Sequence, residues 1–351
     1  CMKKRKTTKY IFVVGGVLSG VGKGITTASL GAILQAKGYT VTALKADPYI
    51  NVDAGTMNPT EHGEVFVLPD GDETDQDMGN YERFLNRDLT SDNYMTTGRV
   101  YHSVIAAERA MKYKGKCVQV VPHIPEEIIR RITRAAELQK ADIAITEIGG
   151  TVGEYENILF LEAIRMMKLA RPNDVAVVLV SYLPVPFHLG EMKTKPTQHA
   201  SRALNSAGLQ ADIIVARARQ AMDKPRREKL AVFCGVQKDH VIAAPDVESI
   251  YEIPGILEEQ GVGNMILSVL GLKKHAADLS VWNDIVSRVK FPKKTVRIAV
   301  VGKYFGTGNY TLSDSYISVI EALKHAGAFH RAKLELDWVD SEEFEKDISA
   351  T

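Results

Sequence analysis

Residues 13–27 read VVGGVLSGVGKGITT, and this glycine-rich stretch decides the fold of the chain. An apolar, β-prone run over residues 10–14 precedes it and predicts a buried strand. A helix-prone segment over residues 29–37 follows it and is stopped by Gly38. Glycines allow backbone N–H groups to approach phosphate oxygens closely, while a helix N-terminus and Lys23 add positive charge. A strand, a glycine loop and a helix in this order predict a phosphate-binding loop.

The loop departs from the common phosphate-loop pattern in two ways. Five residues separate Gly16 from Gly22 where that pattern has four, and Lys23 is followed by Gly24 instead of Ser or Thr. The hydroxyl group that usually binds a metal ion is therefore missing from its usual place. The longer spacing resembles the dethiobiotin-synthetase-like branch of phosphate-loop enzymes. The alternative interpretation is a glycine-rich turn that only packs a helix against a strand.

Length and composition exclude several classes of protein. A chain of 351 residues suggests about two domains, and a formal net charge of +1 gives no general attraction to nucleic acid or to a membrane surface. We expect no signal peptide, and no apolar run reaches the roughly 18 residues that cross a membrane. Three cysteines without a paired motif suit a reducing cytoplasm. We predict that Cys117 and Cys234 are buried core thiols.

Strand-like and helix-like segments alternate along the chain, which predicts an α/β fold with a mostly parallel sheet and helices on both faces. The predicted strands after the first are residues 40–45, 117–122, 142–147, 175–180 and 213–215, and the predicted helices include 126–139 and 158–169. In such a sheet, ligands bind beyond the carboxyl ends of the strands, where Lys45 and Glu147 fall together with the glycine loop. Residues 47–116 are predicted to be a long irregular insertion, and such insertions are usually functional.

A basic, proline-containing stretch at residues 289–294 marks a domain boundary. We predict an N-terminal tail at residues 1–9, a main domain at 10–273, a linker at 274–295 and the start of a second α/β domain at 296–351. This last part contains a predicted strand at 296–304, a helix at 315–325 and a strand at 333–339. Its roughly 55 residues are too few for an independent α/β domain.

Two polar segments are candidates for chemistry. The acidic segment at residues 70–77 is either a solvated loop or part of a Mg²⁺ site, and Asp77 with Glu147 is the preferred metal pair. Residues 193–198 place two lysines around a threonine before Pro196, which indicates either an exposed basic helix start or a phosphate site. His62 and His188 are predicted to have surface or structural roles.

Five unusual motifs occur together and in order, at residues 15–24, 45–53, 62–67, 147–153 and 193–198. Together they resemble the CTP synthase family. The resemblance covers the family's amidoligase domain, roughly residues 9–272, and runs into the start of its glutamine amidotransferase domain. It implies that ATP phosphorylates the 4-oxygen of UTP and that ammonia then displaces the phosphate to give CTP.

The resemblance also implies roles for individual residues. Lys23 and Lys45 would be catalytic, and Asp77 and Glu147 would hold Mg²⁺. The implied ATP-binding residues are Gly20, Val21, Gly22, Lys23, Gly24, Ile25, Asp77, Pro245, Asp246 and Val247. The residues implied to bind UTP, or CTP as a feedback inhibitor, are Ser19, Glu154, Tyr155, Glu156, Lys193, Thr194, Lys195, Pro196, Thr197, Gln198 and Lys229. A cytoplasmic homotetramer without nucleic-acid or membrane partners is the implied assembly.

Two departures from the family pattern carry consequences. Glu154-Tyr155-Glu156 stands where the family commonly has Asp-Ile-Glu, so contacts to the nucleotide and feedback by CTP are expected to differ. Neither Cys117 nor Cys234 lies in the Gly-rich turn that carries the family's glutaminase nucleophile. We therefore expect this chain to use free ammonia and not glutamine.

Two other functions remain open from the residues alone. One is a different ATP-dependent ligase of the dethiobiotin-synthetase-like group, and the other is a nucleotide-switch protein that dimerises on a partner. Both lack a pyrimidine site and predict indifference to UTP. The Lys193–Gln198 segment argues against the switch.

Overall fold

The computed structural model describes residues 7–186, 190–303, 306–307, 310–311 and 313–341. His188 and residues 1–6 of the predicted N-terminal tail lie outside these residues. Within them, no helix is both long enough and apolar enough to cross a membrane.

The described residues form the following elements in chain order. The strands are β1 (Lys9–Gly15), β2 (Val41–Asp47), β3 (Val65–Val67), β4 (Glu73–Asp75), β5 (Tyr94–Thr96), β6 (Ile143–Ile148), β7 (Val175–Tyr182), β8 (Ile213–Ala218), β9 (Val241–Pro245), β10 (Lys294–Gly302), β11 (Gly306–Thr307), β12 (Tyr310–Thr311) and β13 (Ala332–Asp340). The helices are α1 (Lys23–Ala36), α2 (Pro59–His62), α3 (Asp77–Leu85), α4 (Thr97–Arg109), α5 (Val120–Leu138), α6 (Ile158–Ala170), α7 (Lys195–Ser206), α8 (Lys224–Cys234), α9 (Ile253–Glu259), α10 (Val262–Val269), α11 (Ser280–Lys290) and α12 (Ile317–Phe329).

Seven strands form one parallel sheet in the order β5-β2-β6-β1-β7-β8-β9. Both faces of this sheet are buried. Along β1, Tyr10, Phe12 and Val14 point into a core shared with α5, α6 and α7, whereas Ile11 and Val13 point into a core shared with α1, α3 and α10. This alternation across two apolar layers confirms the predicted α/β fold with helices on both faces.

The predicted strand at residues 117–122 is wrong. No strand includes these residues, and α5 begins at Val120. Cys117 is exposed, which corrects its prediction as a core thiol, while Cys234 is buried as predicted. Val120 and Val121 are about half exposed, so these β-prone residues have no apolar layer to pack against.

The predicted irregular insertion at residues 47–116 contains more regular structure than expected. It holds a β3–β4 hairpin, the helices α3 and α4, and the edge strand β5 of the main sheet. Helix α3 forms because Met78, Tyr81 and Leu85 recur at helical spacing and are buried in the core beside α1.

The second α/β segment begins with the parallel pair β10 and β13, which α12 connects. The elements β10, α12 and β13 agree with the three elements predicted for residues 296–339. Residues 280–290, within the predicted linker, form α11. Its Trp282 contacts Phe84 and Tyr251 of the main domain, with ring centroids 4.9 and 5.9 Å apart.

Candidate functional site

The glycine loop joins the buried end of β1 to the first turn of α1. Gly22 precedes α1 with a φ of 90°, a conformation that favours glycine. A Cβ atom at Gly24 would lie 2.1 Å from Oδ1 of Asp77, so a side chain there would displace that carboxylate from its position against the start of α1. The loop therefore has the backbone geometry expected of a site for anions at a helix N-terminus.

Lys23 extends from the first turn of α1 and is buried. Its ammonium group donates a 2.9 Å hydrogen bond to the carbonyl oxygen of Gly150, after β6. Burial lowers the pKa of Lys23, and the neighbouring Lys45 lowers it further, while Glu147 opposes both effects. A cation that is buried beside another cation gains from an added negative ligand, such as a phosphate group.

Lys45, near the end of β2, lies where several carboxylates converge. Its Nζ atom is 3.0 Å from Glu147, 3.6 Å from Asp47 and 3.9 Å from Asp75, and it also contacts Asp77. The register of β2 against β6 places Lys45 directly beside Glu147. Burial acts to lower the pKa of Lys45, but the surrounding carboxylates raise it well above its usual value. Lys45 is therefore held firmly in its charged form.

Glu147 is buried, and both of its carboxylate oxygens accept hydrogen bonds. One accepts from Lys45 at 3.0 Å and the other accepts from the hydroxyl of Tyr81 on α3. Burial raises the pKa of Glu147, and the nearby Asp77 raises it further. Tyr81 is a site residue that the sequence analysis missed, although the helical spacing of Met78, Tyr81 and Leu85 signals that it is buried.

The carboxylates suit a hard cation by their chemistry. Within the described part of the chain, no group of three or more His, Cys, Asp or Glu side chains has a metal-binding arrangement. Mg²⁺, however, takes one or two carboxylates and completes its octahedron with phosphate oxygens and water. Asp77 and Glu147 both line the cleft that the glycine loop faces. The predicted pair therefore fits a magnesium ion that a bound phosphate group helps to hold.

We expect Asp75 to make stability fall with rising pH. Burial raises the pKa of its carboxyl from 3.8 to about 7, although Lys45 acts in the opposite direction. Between these values the folded protein keeps a proton that the unfolded chain releases, so the free energy of unfolding falls as the pH rises, by at most about 1.4 kcal/mol per pH unit. Urea unfolding at several pH values between about 5 and 8 should show a steeper loss for the wild type than for Asp75→Asn. Equal slopes would contradict this assignment.

The glycine loop, Lys45, Asp77 and Glu147 line a cleft of about 850 Å³ at the carboxyl edge of the sheet. The glycine loop and the ends of β2 and β6 form its floor. Residues 59–63 form one part of its wall. Ile317, Glu321 and Lys324 of α12 form another part of the wall. The predicted catalytic, phosphate-binding and metal residues thus share one cleft with residues of the second α/β segment.

Arg217 connects the glycine loop to the predicted adenine-binding residues, and the sequence analysis missed it. Its guanidinium donates a 2.8 Å hydrogen bond to Asp246 and a 3.4 Å hydrogen bond to the carbonyl oxygen of Val21. Pro245 and Asp246 therefore lie beside the loop at the end of β9, while Val247 packs against the core. Arg217 is 196 residues from Val21 in the chain, so sequence spacing gave no signal for this contact.

The predicted pyrimidine-nucleotide residues, Ser19 apart, are absent from the described lining of the 850 Å³ cleft. Helix α7 nevertheless adjoins the glycine loop, because a Cβ atom at Gly16 would lie 2.4 Å from Cβ of Ala200. Thr194 accepts a hydrogen bond from Gln198 at 3.1 Å, and Thr197 accepts one from Ser181 at 2.8 Å. Thr194, Thr197 and Gln198 are buried and build the start of α7.

The charged members of the pyrimidine set remain accessible around α7. Lys193 pairs with Glu191 at 2.8 Å, and Lys195, Glu156 and Lys229 are exposed. Glu154 accepts a 2.8 Å hydrogen bond from the N–H of Thr151, and Tyr155 is 90% exposed. Pro196 begins the first turn of α7. The structure thus separates this set into buried residues that shape α7 and charged residues that face solvent.

The family model described as CTP synthase N-terminus matches residues 9–272. The chain belongs to the CTP synthase family. It is 49% identical over 341 residues to a CTP synthase of Thermus thermophilus, and the match covers 96% of this chain and 60% of the relative. It is 50% identical to the CTP synthases of Carboxydothermus hydrogenoformans and Pyrococcus furiosus, over 97% and 96% of this chain and 63% and 62% of those relatives. The chain therefore spans about three fifths of the length of these CTP synthases.

Proposed function

We propose that these residues carry the ATP-dependent amidoligase half of a CTP synthase. The observation that carries the proposal is the convergence of Lys23, Lys45, Asp77 and Glu147 on one cleft, in a chain of this family. Phosphoryl transfer needs positive charge around the transferred group and fixed positions for the reacting atoms. Lys23 and Lys45 provide the positive charge, and the buried hydrogen bonds of the cleft hold these side chains in place.

In the proposed reaction, the 4-oxygen of UTP attacks the γ-phosphorus of ATP, ADP leaves, and the proton on N3 of the uracil is released. Ammonia then adds to carbon 4, phosphate leaves, and a proton is released to give CTP. Lys23 and residues Gly20–Ile25 hold the phosphates, and Lys45 stabilises the phosphorylated uracil. Asp77 and Glu147 would hold Mg²⁺, which would neutralise charge on the phosphate oxygens when bound. Lys45 must release at least part of its contact with these carboxylates when nucleotide and metal ion enter.

The remaining site assignments belong to the same proposal. Pro245, Asp246 and Val247 contact adenine, and Ser19 lies between the two nucleotides. The residues at 154–156, 193–198 and 229 bind UTP or the inhibitor CTP, for which their exposed lysines offer charge. A cytoplasmic homotetramer is the proposed assembly.

Ammonia is the proposed nitrogen donor for this chain. Cys234 is buried, and burial raises the pKa of its thiol, which is the opposite of what a nucleophilic cysteine needs. Cys117 is exposed on the segment before α5, away from the described lining of the cleft.

A CTP assay with ammonium chloride or glutamine as the nitrogen source tests the proposal. With ATP, UTP and Mg²⁺, we expect ammonium to support the formation of CTP and ADP in equal amounts, and glutamine to support neither. Omitting UTP should stop ADP formation. ADP formed without UTP would instead favour another ligase, and CTP formed from glutamine would contradict the choice of donor.

A further inference from the structure

Helix α12 is attached to two separate walls of the nucleotide cleft. Its own residues Ile317, Glu321 and Lys324 line the cleft, so the second α/β segment forms part of the site. The two attachments involve buried or backbone groups, and each is made by a glutamate.

The first attachment holds the 59–64 segment, whose residues 59–63 line the cleft. The carboxylate of Glu64 accepts a 2.6 Å hydrogen bond from the N–H of Ser318, in the first turn of α12. The N–H of Glu64 donates to the carbonyl oxygen of Asp314 at 2.9 Å, and the hydroxyl of Ser315 donates to the carbonyl oxygen of Pro59 at 3.3 Å. A carboxylate at a helix N-terminus is favoured by the free N–H groups and by the helix dipole.

The second attachment holds the segment around Ile250, which also lines the cleft. Glu321 is 1% exposed, and its carboxylate accepts hydrogen bonds of 2.7 Å from both the hydroxyl of Tyr251 and Nζ of Lys324. The hydroxyl of Tyr251 also lies 2.6 Å from Nε2 of His325. A buried carboxylate is retained only where its hydrogen bonds are satisfied, so this contact fixes α12 against Tyr251.

We infer that α12 acts as a clasp that holds the two walls of the nucleotide cleft in place, with Glu64 and Glu321 as positioning residues. The inference rests on the proposed function, because it assigns the cleft to ATP. The new element of the inference is that the affinity for ATP depends on the second α/β segment. This dependence acts through residues that do not contact the reacting atoms. Residues 59–64 have little regular secondary structure to hold them, since α2 is a single turn without buried residues.

Glu64→Ala, Glu64→Gln and Glu126→Ala in the full 351-residue chain test the inference. Glu126 is exposed on α5 and serves as the matched control. Removing the carboxylate of Glu64 loses a charge-assisted hydrogen bond, so we expect KM for ATP to rise about 5–10-fold while KM for UTP stays within about twofold. Glu64→Gln keeps an acceptor for the N–H of Ser318 and should restore KM for ATP to within about threefold of the wild type. Glu126→Ala should resemble the wild type in both constants.

Hydrogen exchange provides a readout that does not depend on turnover. The amides of residues 59–64 should exchange faster in Glu64→Ala than in the wild type, whereas the amides of β1 should not change. Tyr251→Phe loosens the second attachment and should also raise KM for ATP more than KM for UTP. If Glu64→Ala lowers Tm strongly, the milder variant Ser315→Ala is used instead. KM for ATP and the hydrogen exchange of residues 59–64 then test the inference.

The possible failures are distinguishable. A wild-type chain that forms no CTP from ammonia contradicts the proposed function, and the exchange of residues 59–64 still decides whether the clasp exists. An active wild type whose Glu64→Ala and Tyr251→Phe variants keep its KM for ATP and its exchange rates would overturn the clasp alone. Equal increases in the KM values for ATP and UTP would also overturn it, because they indicate a general loss of structure.

Discussion

Replacing Lys45 with Met is expected to abolish CTP formation and to destabilise the fold at the same time. The substitution leaves Asp47, Asp75, Asp77 and Glu147 around an apolar side chain, without the cation that they surround. Removing one partner from a buried ion pair costs about 3–5 kcal/mol, and loss of a group that stabilises developing charge costs about a hundredfold or more in rate. Urea unfolding and the ammonia-dependent CTP assay measure the two effects.

Lys37 offers a matched control for the stability part of this prediction. It is another buried lysine, and it pairs with Glu258 and donates to Asn264 and to the carbonyl oxygen of His275, at the far end of α1 from the glycine loop. Lys37→Met is expected to destabilise the protein comparably while the folded enzyme keeps its KM for ATP. A Lys45→Met variant that retained more than a tenth of wild-type activity would contradict the role assigned to Lys45.

Lys23→Met is expected to lower kcat/KM for ATP by about a hundredfold or more, with little change in stability. Lys23 differs from Lys45 because burial lowers the pKa of its ammonium and its hydrogen bond goes to a neutral carbonyl oxygen. The positive charge of the Lys23 ammonium is therefore only weakly balanced by negative groups in the free protein. A bound phosphate group would balance it better. Kinetics with varied ATP and urea unfolding separate the two effects.

Lys9→Met is the control for Lys23, because Lys9 lies at the opposite end of β1 and pairs with Asp174 at 2.8 Å. It should leave kcat/KM for ATP unchanged within about twofold. A Lys23→Met variant that was as unstable as Lys45→Met, or that kept its ATP kinetics, would contradict the contrast drawn between the two lysines.

The features that local sequence encodes were predicted correctly. The strand, glycine loop and helix at residues 9–36 follow from an apolar run, from glycines and from a helix-prone segment. Parallel strands bring their carboxyl ends to one edge of the sheet, which is why the sequence alone predicts that Lys45 and Glu147 lie together. The pattern of apolar residues was sufficient for these conclusions.

The errors and omissions involve information that local sequence does not contain. Residues 117–122 have the composition of a strand, but no neighbouring strand pairs with them in the described part of the chain. Strand β5 has only three residues, too few to show a period of two. Tyr81 meets Glu147 across 66 positions of sequence, and Glu64 meets Ser318 across 254. Such pairs depend on tertiary packing, which spacing along one chain does not specify.

The contact between Gly24 and Asp77 gives a different meaning to the residue that follows the loop lysine. Any side chain at position 24 would collide with the carboxylate that α3 delivers there, since even a Cβ atom would lie 2.1 Å from Oδ1. A side chain on the loop and the Asp77 carboxylate in its present position therefore compete for one small volume. Under the proposed function, the metal ligand that the common pattern takes from the loop comes here from α3, and a larger residue at position 24 requires the Asp77 side chain to move.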